Sequence, residues 1–154
     1  DRSRYLAHVN TINTISRLPV YEAIPALETL ENQADRRRSW MPTISGMLFF
    51  PLARAVYSFG RDQAQMEFAS AAIALERYQL FASKLPDRLD ELVPSFLDSV
   101  PQDPFDGEPL RYRRTENGYL VYSIGYNQRD DGGAATPPNA DRHKEGDLLF
   151  TLER

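Results

Sequence analysis

The sequence predicts an α+β fold: a long helix packed on a small antiparallel sheet of three to four strands, with extra helices at the N-terminal end. Three observations predict it. Only Gly46 and Gly60 occur in the first hundred residues, while Gly107, Gly118, Gly125, Gly132, Gly133 and Gly146 follow. Glycine supplies the positive φ angles of tight turns, so the first part reads as helical and the last as strands and loops. Phe68, Ala72, Leu75, Tyr78, Ala82 and Leu85 recur at three- and four-residue steps, which makes one apolar helical stripe. Leu110–Thr115 and Tyr119–Ile124 alternate with the period of two that marks strands.

The elements follow in order. Residues 1–50 read as a helical extension and 51–154 as the main domain. Tyr5, Val9 and Ile12 share a helical face, and Pro19 ends that helix. A second helix is expected over Pro25–Asp35, with Ile24, Leu27 and Leu30 inward and proline tolerated in its first turn. Arg36, Arg37 and Arg38 form a basic connector, most simply a solvated face. The long helix is expected over 51–83, about 50 Å at 1.5 Å per residue, with Gly60 as a place to bend. Its alanines at 69, 71, 72 and 74 favour helix and permit close packing. A proline-punctuated connector, 84–109, holds a short helix over Asp87–Val93 and the turn sequence DPFDGEPL. The hairpin covers 110–125, with Asn117-Gly118 suited to a type I′ turn. An acidic loop, 126–146, precedes a final strand over 147–152, where Leu148, Phe150 and Leu152 share a face. Three such strands bury a single face against the helix.

Composition narrows the function. The 154 residues contain no cysteine, which excludes a disulfide scaffold, a thiol nucleophile and cysteine-based metal sites. Two histidines, His8 and His143, do not make a multi-histidine site, and His143 reads as a solvated loop residue. A net charge of −4 argues against a general nucleic-acid binder. Arg111, Arg113 and Arg114 read as outward strand arginines. The most apolar run, Met47–Phe59, contains Pro51 and Arg54 and is shorter than the roughly 20 residues a membrane helix needs. The chain begins at Asp1, so any membrane anchor is expected upstream of it. Ser45 and Ser123 lack a G-x-S-x-G context, and no phosphate-cradling glycine motif occurs. Asp103 and Asp106 are the carboxylate pair on which a hydrolase would rest, but aspartate beside proline or glycine is foremost a turn former.

The acidic loop carries the most functional character. It holds Asn127, Asp130, Asp131, Gly132, Gly133, Asp141, Glu145 and Asp147. Calcium takes six to eight oxygens of these kinds, and an ion would both organise a loop of about twenty residues and offset carboxylate repulsion. An ordinary solvated acidic loop is the plainer reading, and both stay open. An EF-hand is excluded: counting from Asn127, the third position is Arg129 and the twelfth Pro138, where an acid is required.

The order of parts resembles a known family. ALERYQLFASKLPDRLDELVPSFL (74–97), VPQDPFDGEPLRY (100–112), a hairpin ending YSIG (122–125), an Asp/Gly-Gly loop and an acidic residue before the last strand follow one another. This is similar to the globular part of the G-type major pseudopilins of type II secretion, over roughly residues 68–154. It is closer still to uncharacterised planctomycete-type bacterial proteins that carry this module behind extra helices. The resemblance implies a non-enzymatic structural or interaction module of a secretion or cell-envelope system, outside the cytoplasm. Partners would be a protein or further copies, with no nucleic acid, and a membrane only through an upstream segment. It also implies one calcium ion, with Asn127 and Asp147 at the family's ligand positions, Asp130 and Asp131 beside them, and a carbonyl near Ser123. This chain departs from the family where a processed apolar helix would stand, since some fifty residues precede the long helix. That departure opens a second reading, a metal-free adaptor domain that engages a partner through its helical extension.

Overall fold

The computed structural model describes the backbone of residues 2–36, 43–134 and 146–153, and the side chains of 9–30, 53–134 and 146–153. The fold is α+β, with N-terminal helices, a long helix and a three-stranded antiparallel sheet. The chain divides into two compact units, Asp1–Gly60 and Arg61–Arg154.

In the first unit, α1 (Arg2–Ile15) and α2 (Val20–Arg36) precede the opening turns of α3 (Thr43–Ala82). The α1 helix closes through the Ser16 N–H on the Ile12 carbonyl and the Leu18 N–H on the Ile15 carbonyl. The Pro19 carbonyl then accepts from the Glu22 and Ala23 N–H groups, so α2 starts at Val20 and not at Pro25. Pro25 therefore lies inside the helix and removes one of its rungs. Burial outweighs that loss: Val20, Ala23, Ile24 and Leu27 form one inward face extending upstream of the proline. The core of this unit gathers Ile15, Ala23 and Leu27, with Leu18, Ala26, Leu30, Ala53 and Val56 against it.

The α3 helix starts at Thr43, ahead of the start expected at Pro51, and runs through Gly60. It stops where Ser83 adopts φ 56, a left-handed terminus whose N–H reaches the Gln79 carbonyl. Within the second unit its inward face is Ala64, Phe68, Ala71, Ala72, Ala74 and Leu75. Tyr78, Ala82 and Leu85 are half-buried. The expected helix at Asp87–Val93 is only a single 3-10 turn, Leu89–Leu92. The Glu91 carboxylate accepts from the Asp87 and Arg88 N–H groups at 2.8 and 3.1 Å and fixes its entry.

The sheet order is β1 (Arg111–Thr115), β2 (Gly118–Ser123), β3 (Leu148–Glu153), both pairs antiparallel. Tyr119, Val121 and Ser123 stand opposite Leu152, Phe150 and Leu148 across β2 and β3, and Arg114 and Tyr112 continue the row on β1. The Tyr112, Tyr119 and Phe150 rings line this face at 6.3 and 6.5 Å. Two expectations are corrected. Thr115 pairs with Gly118, so the hairpin turns on Glu116-Asn117, and neither residue has positive φ. Gly118 is needed for a different reason: a Cβ there would overlap the Leu152 carbonyl oxygen of β3. Nor does the sheet bury one face alone, because Leu120 on the other face of β2 is as buried as its neighbours. Gly133 seats against Leu120 and the Tyr122 ring on that face.

Candidate functional site

The site grows from a turn after the connector. Gln102 bridges to Pro109, the Asp103 N–H donates to the Glu108 carbonyl at 2.7 Å, and the Gly107 N–H donates to the Asp103 carbonyl at 2.8 Å. Gly107 takes φ 76, as the Asp-Gly turn requires. The turn drives Phe105 into full burial and carries Asp103 in with it.

Asp103 is 0% exposed and joins four donors. Its Oδ1 accepts the Phe105 N–H at 2.9 Å and the Ser123 hydroxyl at 2.7 Å. Its Oδ2 accepts the Ile124 N–H and Arg111 Nη1, both at 2.9 Å. Burial pushes the carboxyl up, while the Phe105 N–H, the Ser123 hydroxyl and the Ile124 N–H draw it back. Arg111 also grips Asp106 through both of its terminal nitrogens. That hydrogen bonding, with the nearby carboxylates, holds the guanidinium above its ordinary range. Arg111 is thus a clamp inside the fold and not an outward strand arginine. Arg114 pairs with Asp87 at 2.6 Å, and Arg113 is exposed. Both carboxylates of the Asp103/Asp106 pair serve one guanidinium.

The acidic loop is built next to this clamp. Gly125 takes φ 66 where the Gly146 carbonyl passes, and a Cβ there would fall 2.7 Å from its oxygen. Gln128 is left-handed at φ 51, and its side-chain amide donates to the Phe105 carbonyl at 2.7 Å. Asn127 accepts the Arg129 N–H at 3.0 Å and donates to Asp131 at 2.9 Å. Asp130 accepts the Gly132 N–H at 2.9 Å, and its other oxygen lies 3.9 Å from Arg111 Nε. Asp147, 2% exposed, accepts the Asp131 N–H at 3.2 Å and the Gly133 N–H at 2.6 Å. Burial pushes the Asp147 carboxyl up; the two N–H groups oppose this, and the charges of Asp130 and Asp131 add to it. Burial and the Asp130 carboxylate raise the Tyr122 phenol in the same way.

The structure therefore brings Asn127, Asp130, Asp131 and Asp147 into one neighbourhood. The Ser123 hydroxyl is engaged elsewhere: it donates to Asp103 and accepts the Gly125 N–H at 3.2 Å. Asp141, His143 and Glu145 lie outside the described residues. Among the described residues, no group of three or more acidic or histidine side chains is arranged to hold a metal. Sequence reasoning missed the Asp103–Arg111 clamp. Its only signal was an arginine one residue into a strand that follows Asp-Pro-Phe-Asp-Gly. Among the described residues no helix is long and apolar enough to cross a membrane. No protein-family model matches this chain, and no curated protein or solved structure matches it.

Proposed function

We propose that this chain is a non-enzymatic structural or interaction module of the pseudopilin type, working outside the cytoplasm in a secretion or cell-envelope system. The observation that carries the reading is the use made of its polar groups. Asp103, Asp106, Arg111 and Asp147 spend their hydrogen bonds fastening the connector, the sheet and the C-terminal loop to one another. That is the chemistry of a rigid presenting scaffold. The order of long helix, connector, hairpin, loop and last strand supports the same reading. Fractionation of source cells, following the full-length protein that contains this chain, tests it. Recovery with the envelope or periplasm is the expected result, and recovery in the cytosol refutes the reading.

A calcium ion is the second part of the proposal. Asn127, Asp130, Asp131, Asp147 and the Ser123 carbonyl would hold it, and it would supply charge neutralisation in place of catalysis. The favouring observation is that Asp130 and Asp131 crowd the buried Asp147. Since both Asp147 oxygens already accept loop N–H groups, an ion would use their remaining lone pairs and require Asp130 and Asp131 to re-aim. The metal-free adaptor is the alternative, and a calcium titration separates the two.

A further inference from the structure

The sheet ends in two edges, and the sequence treats them differently. The order β1-β2-β3 leaves one side of β1 and one side of β3 without a neighbouring strand among the described residues. A bare edge offers unpaired N–H and C=O groups to any extended chain, and proteins blunt it with charge, proline, a bulge or brevity. The β1 edge is blunted: three of its five residues are Arg111, Arg113 and Arg114. The β3 edge is not. Its six residues, LLFTLE, include no lysine, arginine or proline, and they pair with β2 one for one, without a bulge.

The hairpin register tells which backbone groups of β3 are left over. Thr115 and Gly118 close a two-residue turn, and such a closing pair exchanges both of its hydrogen bonds. Hydrogen bonding alternates along an antiparallel strand. The backbones of Gly118, Leu120 and Tyr122 therefore face β1, and those of Tyr119, Val121 and Ser123 face Leu152, Phe150 and Leu148 of β3. The N–H and C=O groups of Leu149, Thr151 and Glu153 point away from β2, and among the described residues none of them has a hydrogen-bond partner. Groups at that spacing are satisfied by one kind of occupant, another extended strand.

The β3 strand of a second copy fits this edge about a two-fold axis at Thr151. Running antiparallel, Thr151 faces Thr151 and exchanges both hydrogen bonds, and Leu149 pairs with Glu153 on either side. Phe150 meets Leu152 twice, on the face that Tyr119 and Val121 share. The exposed Thr151 side chains meet on the other face, and threonine opposite threonine is a favourable cross-strand pair. Charge fixes the axis. Moving it one position, to Phe150, keeps the edge hydrogen bonds but sets Glu153 opposite Asp147, acid on acid. About Thr151 the two Glu153 carboxylates lie at opposite ends of the pair, each beside Leu149.

We propose that the β3 edge is the self-association surface of this protein, where two copies join their sheets antiparallel about Thr151. This deepens the reading of the chain as an interaction module by naming the partner and the edge. It does not depend on calcium.

The test uses the whole chain. Sedimentation equilibrium from low to high micromolar concentration should show a monomer–dimer equilibrium. Hydrogen exchange, read amide by amide, locates the interface. The Leu149, Thr151 and Glu153 amides should exchange fast in the monomer and slow at least about tenfold in the dimer, while those of Leu148, Phe150 and Leu152 stay protected in both. Thr151→Lys and Thr151→Glu each change an exposed side chain, so circular dichroism should stay unchanged. Each alone should weaken the dimer at least about tenfold, because the two-fold sets like charges directly opposite. An equimolar mixture of the two should dimerise at least as tightly as the wild type. A wild-type chain that stays monomeric, edge amides already protected in the monomer, or a mixture no tighter than its components each overturns the proposal. A monomer recovered in the envelope fraction would sink this inference alone; a dimer with these properties recovered in the cytosol would sink the envelope reading alone.

Discussion

Replacing Asp103 by asparagine should cost more stability than the same change at its neighbour Asp106. The side chain keeps its shape, so no cavity opens. What changes is the hydrogen-bond count. As a carboxylate it accepts from two backbone N–H groups, one hydroxyl and one guanidinium, with nothing of the side chain exposed to water. Asparagine retains one carbonyl oxygen. With its amide nitrogen on one side, the Ile124 N–H and Arg111 Nη1 both face a donor; on the other side the Phe105 N–H does, while the Ser123 hydroxyl turns to accept and gives up its own hydrogen bond to the side chain. Removing one partner of a buried, hydrogen-bonded charge pair typically costs about 3–5 kcal/mol. At roughly 2–4 °C per kcal/mol for a chain of this size, the melting temperature should fall by roughly 6–20 °C. Denaturant unfolding followed by tyrosine near-ultraviolet circular dichroism measures it, because Tyr112, Tyr119 and Tyr122 all lie in this unit. Asp106→Asn is the control: that carboxylate is 22% exposed, and its loss should cost about 1–2 kcal/mol. If Asp103→Asn costs no more than Asp106→Asn, the clamp does not hold this unit together and the reasoning fails.

Other expectations follow from the same geometry. Gly133→Ala should destabilise by about 2–3 kcal/mol, since it adds strain at φ 76 and brings a Cβ 2.7 Å from Leu120, whereas Gly132→Ala, at φ 72 with nothing within 4 Å, should cost only about 1. Equal effects in paired chemical-denaturation curves would mean that the loop does not seat on the sheet. Tyr112 is pushed up to about 12, chiefly by burial, and its hydroxyl donates to the Pro86 carbonyl at 2.9 Å. The fold thus prefers the neutral phenol; the stability this contributes is complete below pH 10 and drains away as pH rises toward 12. Tyr112→Phe should lose about 1 kcal/mol at pH 7 but flatten that alkaline decline, as unfolding between pH 9 and 12 would register. For calcium, chelator-stripped protein should melt higher in millimolar calcium than in magnesium, by an amount that grows with concentration, and Asp147→Ala should abolish the rise. A folded, metal-free protein showing no shift would favour the metal-free adaptor.

Some of this fold was legible because its signals are local. The α3 stripe through Phe68, Ala72 and Leu75 and the alternation of Tyr119–Ile124 each need only a window of neighbours, and each sits where its period places it. Boundaries were less legible, because burial overrode local chemistry. Pro25 suggested a helix start, yet the apolar face at Val20, Ala23 and Ile24 carried α2 upstream of it. Asn117-Gly118 suggested a turn, yet the glycine belongs to β2, where the β3 backbone leaves no room for a Cβ. In one dimension, a glycine required by a neighbouring strand cannot be told from a glycine required by its own φ.

The candidate site was half-legible for a related reason. Density of aspartate and glycine marked the loop, but not what each oxygen would accept. Asp147 was legible as a residue before the last strand, and its position there is what carries it under the loop to receive the Asp131 and Gly133 N–H groups. Asp103 was not legible, because its partners come from Arg111 on β1 and from Ser123 and Ile124 at the end of β2, and only the sheet register unites them. That register also explains why the two networks meet. Arg111 pairs with Tyr122 across β1 and β2, so its guanidinium lies on the loop-covered face, between Asp103 and Asp106 on one side and Asp130 on the other. A shift of one residue in the hairpin would turn Arg111 to the opposite face, that of Tyr119 and Val121, and strand Asp103 without its cation. The clamp therefore acts as a register lock. It favours the β1–β2 pairing that puts the Arg111 guanidinium on the same face as Leu120 and Tyr122, where Gly133 of the acidic loop seats.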